Sequence, residues 1–127
     1  MQTPVCTKGC SLKALSIVAP SGSKIVSGLK TLEVRRWSPS LRPDEDLLIV
    51  ENDRFLRADG EEDQDGRAVA IVRIASVRPF LHSDMAAACA NYFEEGWLAW
   101  ELTNIRQITY SKPVLAARGI YEFSIDI

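Results

Sequence analysis

The sequence predicts an α+β domain, and three observations carry that prediction. Apolar runs of strand length recur along the chain, among them Leu12–Val18, Asp46–Glu51 and Arg67–Val77. Two other segments carry helix signals instead: Pro20 ahead of Ile25 and Val26, and Ser83-Asp84 ahead of an alanine-rich stretch. The length, 127 residues, supports one hydrophobic core and is too short for two.

Met1 to Ser11 is polar, contains Gly9 and shows no periodicity, so it reads as a flexible lead-in to a domain spanning residues 12–127. It lacks the apolar stretch of a secretory signal. Leu12–Val18 alternates loosely and makes the first strand. Pro20 suits a first helical turn, and Gly28 suits the left-handed cap that ends a helix of barely two turns. So short a helix depends on tertiary contacts and is expected to pack over one end of the sheet. A strand from Leu29 to Trp37 follows. Ser38–Asp44 holds two prolines and connects it to the buried strand Asp46–Glu51.

Asp59–Gly66 is acid-rich and bounded by glycines, which reads as a loop. It lacks the alternating acids and closing glutamate of a calcium loop, so no metal is assigned there. Arg67–Val77 is apolar on both faces and belongs at the centre of a covered or closed sheet. A second helix is expected over Met85–Phe93, capped by Ser83 or Asp84, with Cys89 on its buried face. Glu94-Glu95-Gly96 ends it. Trp97–Leu102 is an aromatic strand; Trp97 and Trp100 offer stacking faces to a base, but burial tendency places Trp100 in the core. Asn104–Ile108 continues it, and Arg118-Gly119 turns into a last strand, Tyr121–Ile127.

The composition, 46% hydrophobic and 25% charged, is that of a soluble globular protein. No apolar run approaches the roughly 20 residues that span a bilayer, and a cytoplasmic location with no membrane partner is expected. The net charge of −2 argues against a non-specific nucleic-acid coat, yet it conceals a segregation. Residues 1–43 carry seven cations and one acid, whereas residues 44–66 carry ten acids and two cations. A basic field confined to one region still attracts phosphate. Cys6-x-x-x-Cys10 has only His82 and Cys89 to complete a ligand set, and free thiols are the simpler reading. No cofactor motif is present. His82, near a helix start, is read as a surface residue.

The most informative stretch is Gly28-Leu29-Lys30-Thr31-Leu32-Glu33-Val34-Arg35-Arg36-Trp37. Strand alternation puts Thr31, Glu33, Arg35 and Trp37 on one face and Leu32 and Val34 on the other, in a core. A carboxylate between an ammonium and a guanidinium orients both, and their spare donors suit a phosphate or a base edge. The plain alternative is a solvated strand face with a weak ion pair.

Gly28-x-Lys30-x-x-Glu33-x-Arg35, between a short helix and an apolar strand, resembles the signature of the ASCH domain, a branch of the PUA-like superfamily. The resemblance extends over roughly Leu12 to Ile127. It implies a small, partly open mixed β-barrel with two or three short flanking helices and a cleft where these residues gather. It also implies recognition of RNA or of a nucleoside or nucleotide, in which Lys30 and Arg35 contact phosphate or base edges. Glu33 orients them or accepts from a base amino group. Arg36, Lys24 and Asn52 line the approach, Asn52 at the position where the family places a small polar residue facing the cleft. An unstacked base fits a small cleft better than a duplex groove does. Alanine at Lys30 or Arg35 is then expected to weaken RNA binding and leave the thermal midpoint nearly unchanged.

The alternative function is hydrolytic. Some short relatives resemble amidohydrolases that remove the acyl group of N4-acylcytidine with a Lys-x-x-Thr arrangement and a distant glutamate, the lysine activating the threonine. Here Lys30 matches, but Glu33 stands where that threonine would be. Thr31 is adjacent to Lys30 and points away along a strand. Glu94, Glu95 and Glu101 are candidates for the second carboxylate. Ribonuclease activity would need a base for the 2′-hydroxyl and cations for the phosphate, for which Lys30, Glu33 and Arg35 are the candidates; in either enzymatic reading Lys30 and Glu33 are the catalytic residues.

Overall fold

Leu47–Asn52 is six residues of strand with every position buried, and the rest of the sheet is arranged around it. The computed structural model describes residues 10–125. The elements are β1 (Cys10–Val18), α1 (Ser21–Ser27), β2 (Leu32–Arg35), β3 (Leu47–Asn52), β4 (Glu62–Pro79), α2 (Met85–Ala88), β5 (Leu98–Gln107), β6 (Val114–Ala117) and β7 (Ile120–Ile125). A single 3-10 turn, His82–Asp84, leads into α2. No helix among the described residues is long and apolar enough to cross a membrane.

The strands pair in the order β2-β5-β4-β3-β1-β7, with β6 added to β4. β1 and β3 run parallel and the other pairs antiparallel, so the sheet is mixed. Its path stays open, with β2 and β7 as edges, and it does not close into a barrel. Alternation sorts the central strands onto two cores. Leu15, Ile17, Leu47, Ile49, Val72 and Trp100 pack on one side with Ile25 of α1. Ala14, Leu48, Val50, Ile71 and Val114 pack on the other. Burying each large aliphatic side chain contributes about 1.5–3 kcal/mol, so apolar residues on both faces belong in covered strands.

Helix α1 lies where its length requires it, against β1, β3, β4 and β5. Gly28 ends it with φ 85° and ψ 2°, the left-handed cap. Trp100 is fully buried, and Leu32 packs with Phe80, Ala88 and Ala99 under α2.

The structure departs from the sequence expectations at four places. β1 begins at Cys10, so two residues of the expected lead-in are strand, while residues 1–9, and Cys6 with them, lie outside the described residues. The acid-rich segment is not all loop: β4 begins at Glu62, because Glu62 and Asp63 pair with Ala117 and Ala116 of β6. That partner lies some fifty residues away, and local composition carries no trace of it. The second helix stops at Ala88 instead of Phe93. The Ala87 carbonyl accepts the Thr31 N–H, and the Ala88 carbonyl accepts the Lys30 ammonium, so tertiary partners take acceptors that further helix would have used. Cys89 consequently sits at φ 53° and is exposed, not buried. Finally, Asp84 turns its carboxylate back to the Leu81 N–H and to Arg78 instead of capping α2.

Candidate functional site

The site is built by the reversal at Gly28. Its N–H bonds the Ile25 carbonyl, and the Lys30 N–H bonds the carbonyl of Lys24, which swings the chain from α1 into β2 with Lys30 directed inward. Lys30 is only 8% exposed and Glu33 only 7%. The Lys30 Nζ donates to the Ala88 carbonyl at 2.8 Å and lies 3.4 Å from Glu33 Oε1. The other carboxylate oxygen of Glu33 accepts from Arg35 Nε at 2.7 Å, and Arg35 Nη2 reaches the Ser16 carbonyl on β1 at 3.2 Å. One carboxylate thus fixes two cations from opposite sides.

Aromatic packing continues this arrangement. The Arg35 guanidinium lies 6.0 Å from the centre of the Trp37 ring. Trp37 meets buried Trp100 edge-on at 5.1 Å, and Trp100 Nε1 donates to the Trp37 carbonyl. Lys30, Glu33, Arg35 and Trp37 all line one cleft of about 530 Å³, within the size range of small-ligand sites. Another part of its wall comes from Asn52, Arg54, Phe55 and Leu56 and from residues 117–119, and Ala88–Ala90 line it as well.

Asn52 lines that wall and is 1% exposed. Its amide nitrogen donates to the Arg54 carbonyl at 2.8 Å and to Asp63 at 3.2 Å, so the carbonyl oxygen is what it has left for a ligand. The same count leaves Lys30 one of its three N–H groups and Arg35 three of its five. The acids behind Asn52 are held charged. The Asp65 N–H and then the Asn52 amide hold the Asp63 carboxyl below the usual carboxylate range. The Arg57 and Ala58 N–H groups do the same for Glu61.

Of the residues singled out from the sequence, Lys30, Glu33, Arg35 and Asn52 converge on the cleft. Lys24 and Arg36 do not line it: Lys24 stays on α1, and Arg36 leaves the end of β2 exposed. Thr31, Trp97 and Trp100 are not lining residues either. Glu94 and Glu95 are exposed elsewhere, and Glu101 is engaged by Ser76 and Arg78. His82 is exposed with its ring against Phe93. Sequence reasoning missed Arg54, Phe55, Cys89 and Arg118, which the fold delivers to the cleft from three separate segments. Arg54-Phe55 carried a readable signal, a cation and an aromatic directly after the polar strand end; Phe55 is 65% exposed. No such signal marks Cys89 or Arg118. Among the described residues, no group of three or more His, Cys, Asp or Glu is placed to hold a metal ion.

Comparison with known proteins agrees with this architecture. Three solved structures of the ASCH protein from Zymomonas mobilis are similar to it. One point variant is 17% identical with a TM-score of 0.52, over 83% of this chain and 88% of that one. A second is 17% identical with a TM-score of 0.52, over 87% and 90%. The form without either substitution is 16% identical with a TM-score of 0.50, over 83% and 85%. At such identities the likeness concerns the fold alone. No curated protein matches the sequence. The family model of the ASCH domain matches residues 15–112, a span containing Lys30, Glu33, Arg35 and Asn52, and the chain belongs to the ASCH domain family.

Proposed function

We propose that this protein is an RNA- or nucleotide-binding module that holds an unstacked base or a phosphate in the cleft. The observation that carries the reading is Glu33 held between Lys30 and Arg35 on a concave surface. The remaining donors of both cations are pre-oriented toward one volume, which suits the acceptor oxygens of a phosphate or the carbonyl of a base. Both oxygens of Glu33 are already engaged, so its role is to orient the cations, and Asn52 is the group that accepts from a base or ribose. Trp37 and Phe55 supply aromatic surface against which a base stacks. The concavity favours a splayed single-stranded nucleotide over a duplex. Lys24 and Arg36 contribute to the basic field outside the cleft and make no ligand contact in this reading.

The hydrolase reading has less support. The Lys30 ammonium is bound to a backbone carbonyl and a carboxylate, and among the described residues no threonine lines the cleft. The two readings separate in one set of measurements. Fluorescence anisotropy with a single-stranded RNA should show at least tenfold weaker binding for Arg35→Gln and for Phe55→Ala, with thermal midpoints near the parent's. Unchanged affinity in both variants removes the reading, and turnover of an N4-acylcytidine or of the RNA replaces it with the hydrolase.

A further inference from the structure

The charged lining of the cleft is Lys30, Arg35, Arg54 and Arg118 against the single carboxylate of Glu33. No acid between residues 53 and 65 lines it. Lys30 and Arg35 form one cationic group, tied together by Glu33. Arg118 comes from the turn between β6 and β7, and Ser16 of β1 connects that turn to the first group. The Ser16 carbonyl accepts from Arg35 Nη2 at 3.2 Å, and the Ser16 hydroxyl accepts from the Ala117 N–H at 3.1 Å. One residue further along, Leu15 faces Ile120 in the β1–β7 register. Two lining arginines from distant parts of the chain are thus brought to the same residue of the wall.

The arginines differ in what they already hold. Arg54 has a partner at each nitrogen: Glu61, the Glu62 carbonyl and, at 3.9 Å, Asp63. Arg118 donates from Nη1 alone, to the Arg57 carbonyl at 2.8 Å and to Asp59 at 3.1 Å. Its Nη2 and Nε donors have no partner among the described residues. The Asp59 side chain is fully exposed and that of Arg118 nearly half exposed, and an exposed pair of this kind contributes little. Exchanging Asp59 for a phosphate therefore costs little, whereas freeing Arg54 breaks three contacts.

From this arrangement we infer that the cleft has a second anion subsite at Arg118, so that its ligand carries a phosphate on each side of one nucleoside. The inference rests on the nucleotide-binding reading above and deepens it. The first phosphate sits on Lys30 and Arg35, the second on Arg118, and the base lies toward Asn52 and Phe55. A guanidinium with open donors suits a phosphate, and about 530 Å³ is room enough for a small ligand of this class. An internal nucleotide of an RNA strand and a free nucleoside 3′,5′-bisphosphate share this chemistry. A 5′-diphosphate carries comparable charge with both groups on one side of the sugar.

The test titrates the full chain with adenosine 3′,5′-bisphosphate, adenosine 5′-diphosphate and adenosine 5′-monophosphate in a calorimeter. The bisphosphate should bind about tenfold more tightly than either of the others, the gain from one charge-assisted contact. A 5′-diphosphate that matches the bisphosphate overturns the inference, because charge alone then explains the gain. Equal affinity for all three also overturns it and leaves nucleotide binding in place. No binding of any of them overturns it as well, and if single-stranded RNA also fails to bind, the reading beneath it falls too. Displacement of an adenylate oligonucleotide by the bisphosphate at similar concentrations identifies the free nucleotide as sufficient, whereas a much tighter oligonucleotide identifies the strand. Arg118→Gln should erase the advantage of the bisphosphate, and an advantage kept would contradict the subsite. Asp59→Asn, at an exposed residue outside the lining, should raise bisphosphate affinity several-fold at unchanged monophosphate affinity. No gain there would contradict the exchange of Asp59 for phosphate.

Discussion

Lys30 and Glu33 are buried charges whose pairing was expected to matter for binding and little for stability. Their burial changes that expectation. Removing one partner of a buried pair leaves the other charge poorly compensated, which costs about 3–5 kcal/mol, and Arg35 on the far oxygen of Glu33 keeps the loss near the low end. Lys30→Ala should therefore lower stability by roughly 3 kcal/mol in a denaturant titration. A loss below about 0.5 kcal/mol would mean that Glu33 is solvated in the folded protein. Arg35, a quarter exposed, is the better probe of function for the same reason. Glu33 and Arg35 were legible as neighbours because residues two apart on a strand share a face, whereas Lys30, three residues before Glu33 and ahead of the strand, was singled out through the family resemblance. Arg54, Phe55, Cys89 and Arg118 were not, since nothing local tells a residue which distant segment it will face.

Within the elements, the strands with both faces apolar were the most readable, because continuous burial writes itself into composition. Helix α2 and the start of β4 were the least readable. In both, a tertiary hydrogen-bond partner overrode the local pattern: Thr31 and Lys30 took the carbonyls of α2, and β6 converted acid-rich sequence into strand. Gly66 shows the consequence. It reads as a loop boundary but lies inside β4 opposite Val114, where an added Cβ would come within 2.7 Å of both the Val114 carbonyl oxygen and a Val50 methyl. Gly66→Ala should destabilise by about 1–3 kcal/mol, measured by thermal or urea unfolding. A neutral effect would mean that β6 does not pack on β4 as described.

Asp46, just ahead of β3, ties β4 to β5. It accepts from Arg106 and from Arg73, and the hydrogen bond from Arg106, with that from Arg73 behind it, holds its carboxyl below the usual carboxylate range. A carboxyl depressed in the folded state stabilises at pH above its unfolded value, about 4, and loses that contribution as pH falls through the folded value. The stability gap between parent and Asp46→Asn should be full near neutrality and close as the pH drops below about 4. A gap independent of pH would contradict the ion-pair origin.

For the whole molecule, the fold brings residues of the basic N-terminal segment and of the acid-rich segment, from the latter Asn52, Arg54, Phe55 and Leu56, to one cleft, although the net charge is only −2. The segregation was visible in the sequence; which residues of each segment face one another was not, because that depends on the pairing of β1 with both β3 and β7 and of β2 with β5. The partly open, mixed character of the sheet came from the family resemblance, and the absence of closure came only from the strand order. The central claim is that ligand binds where Lys30, Glu33 and Arg35 meet. It is tested most directly by titrating a nucleoside monophosphate into isotopically labelled protein and following the backbone amide resonances. The account predicts saturable shifts confined to Ser16–Ala19, Lys30–Trp37, Asn52–Leu56 and Ala88–Ala90. Saturable shifts at another surface, with those four segments unmoved, would contradict it.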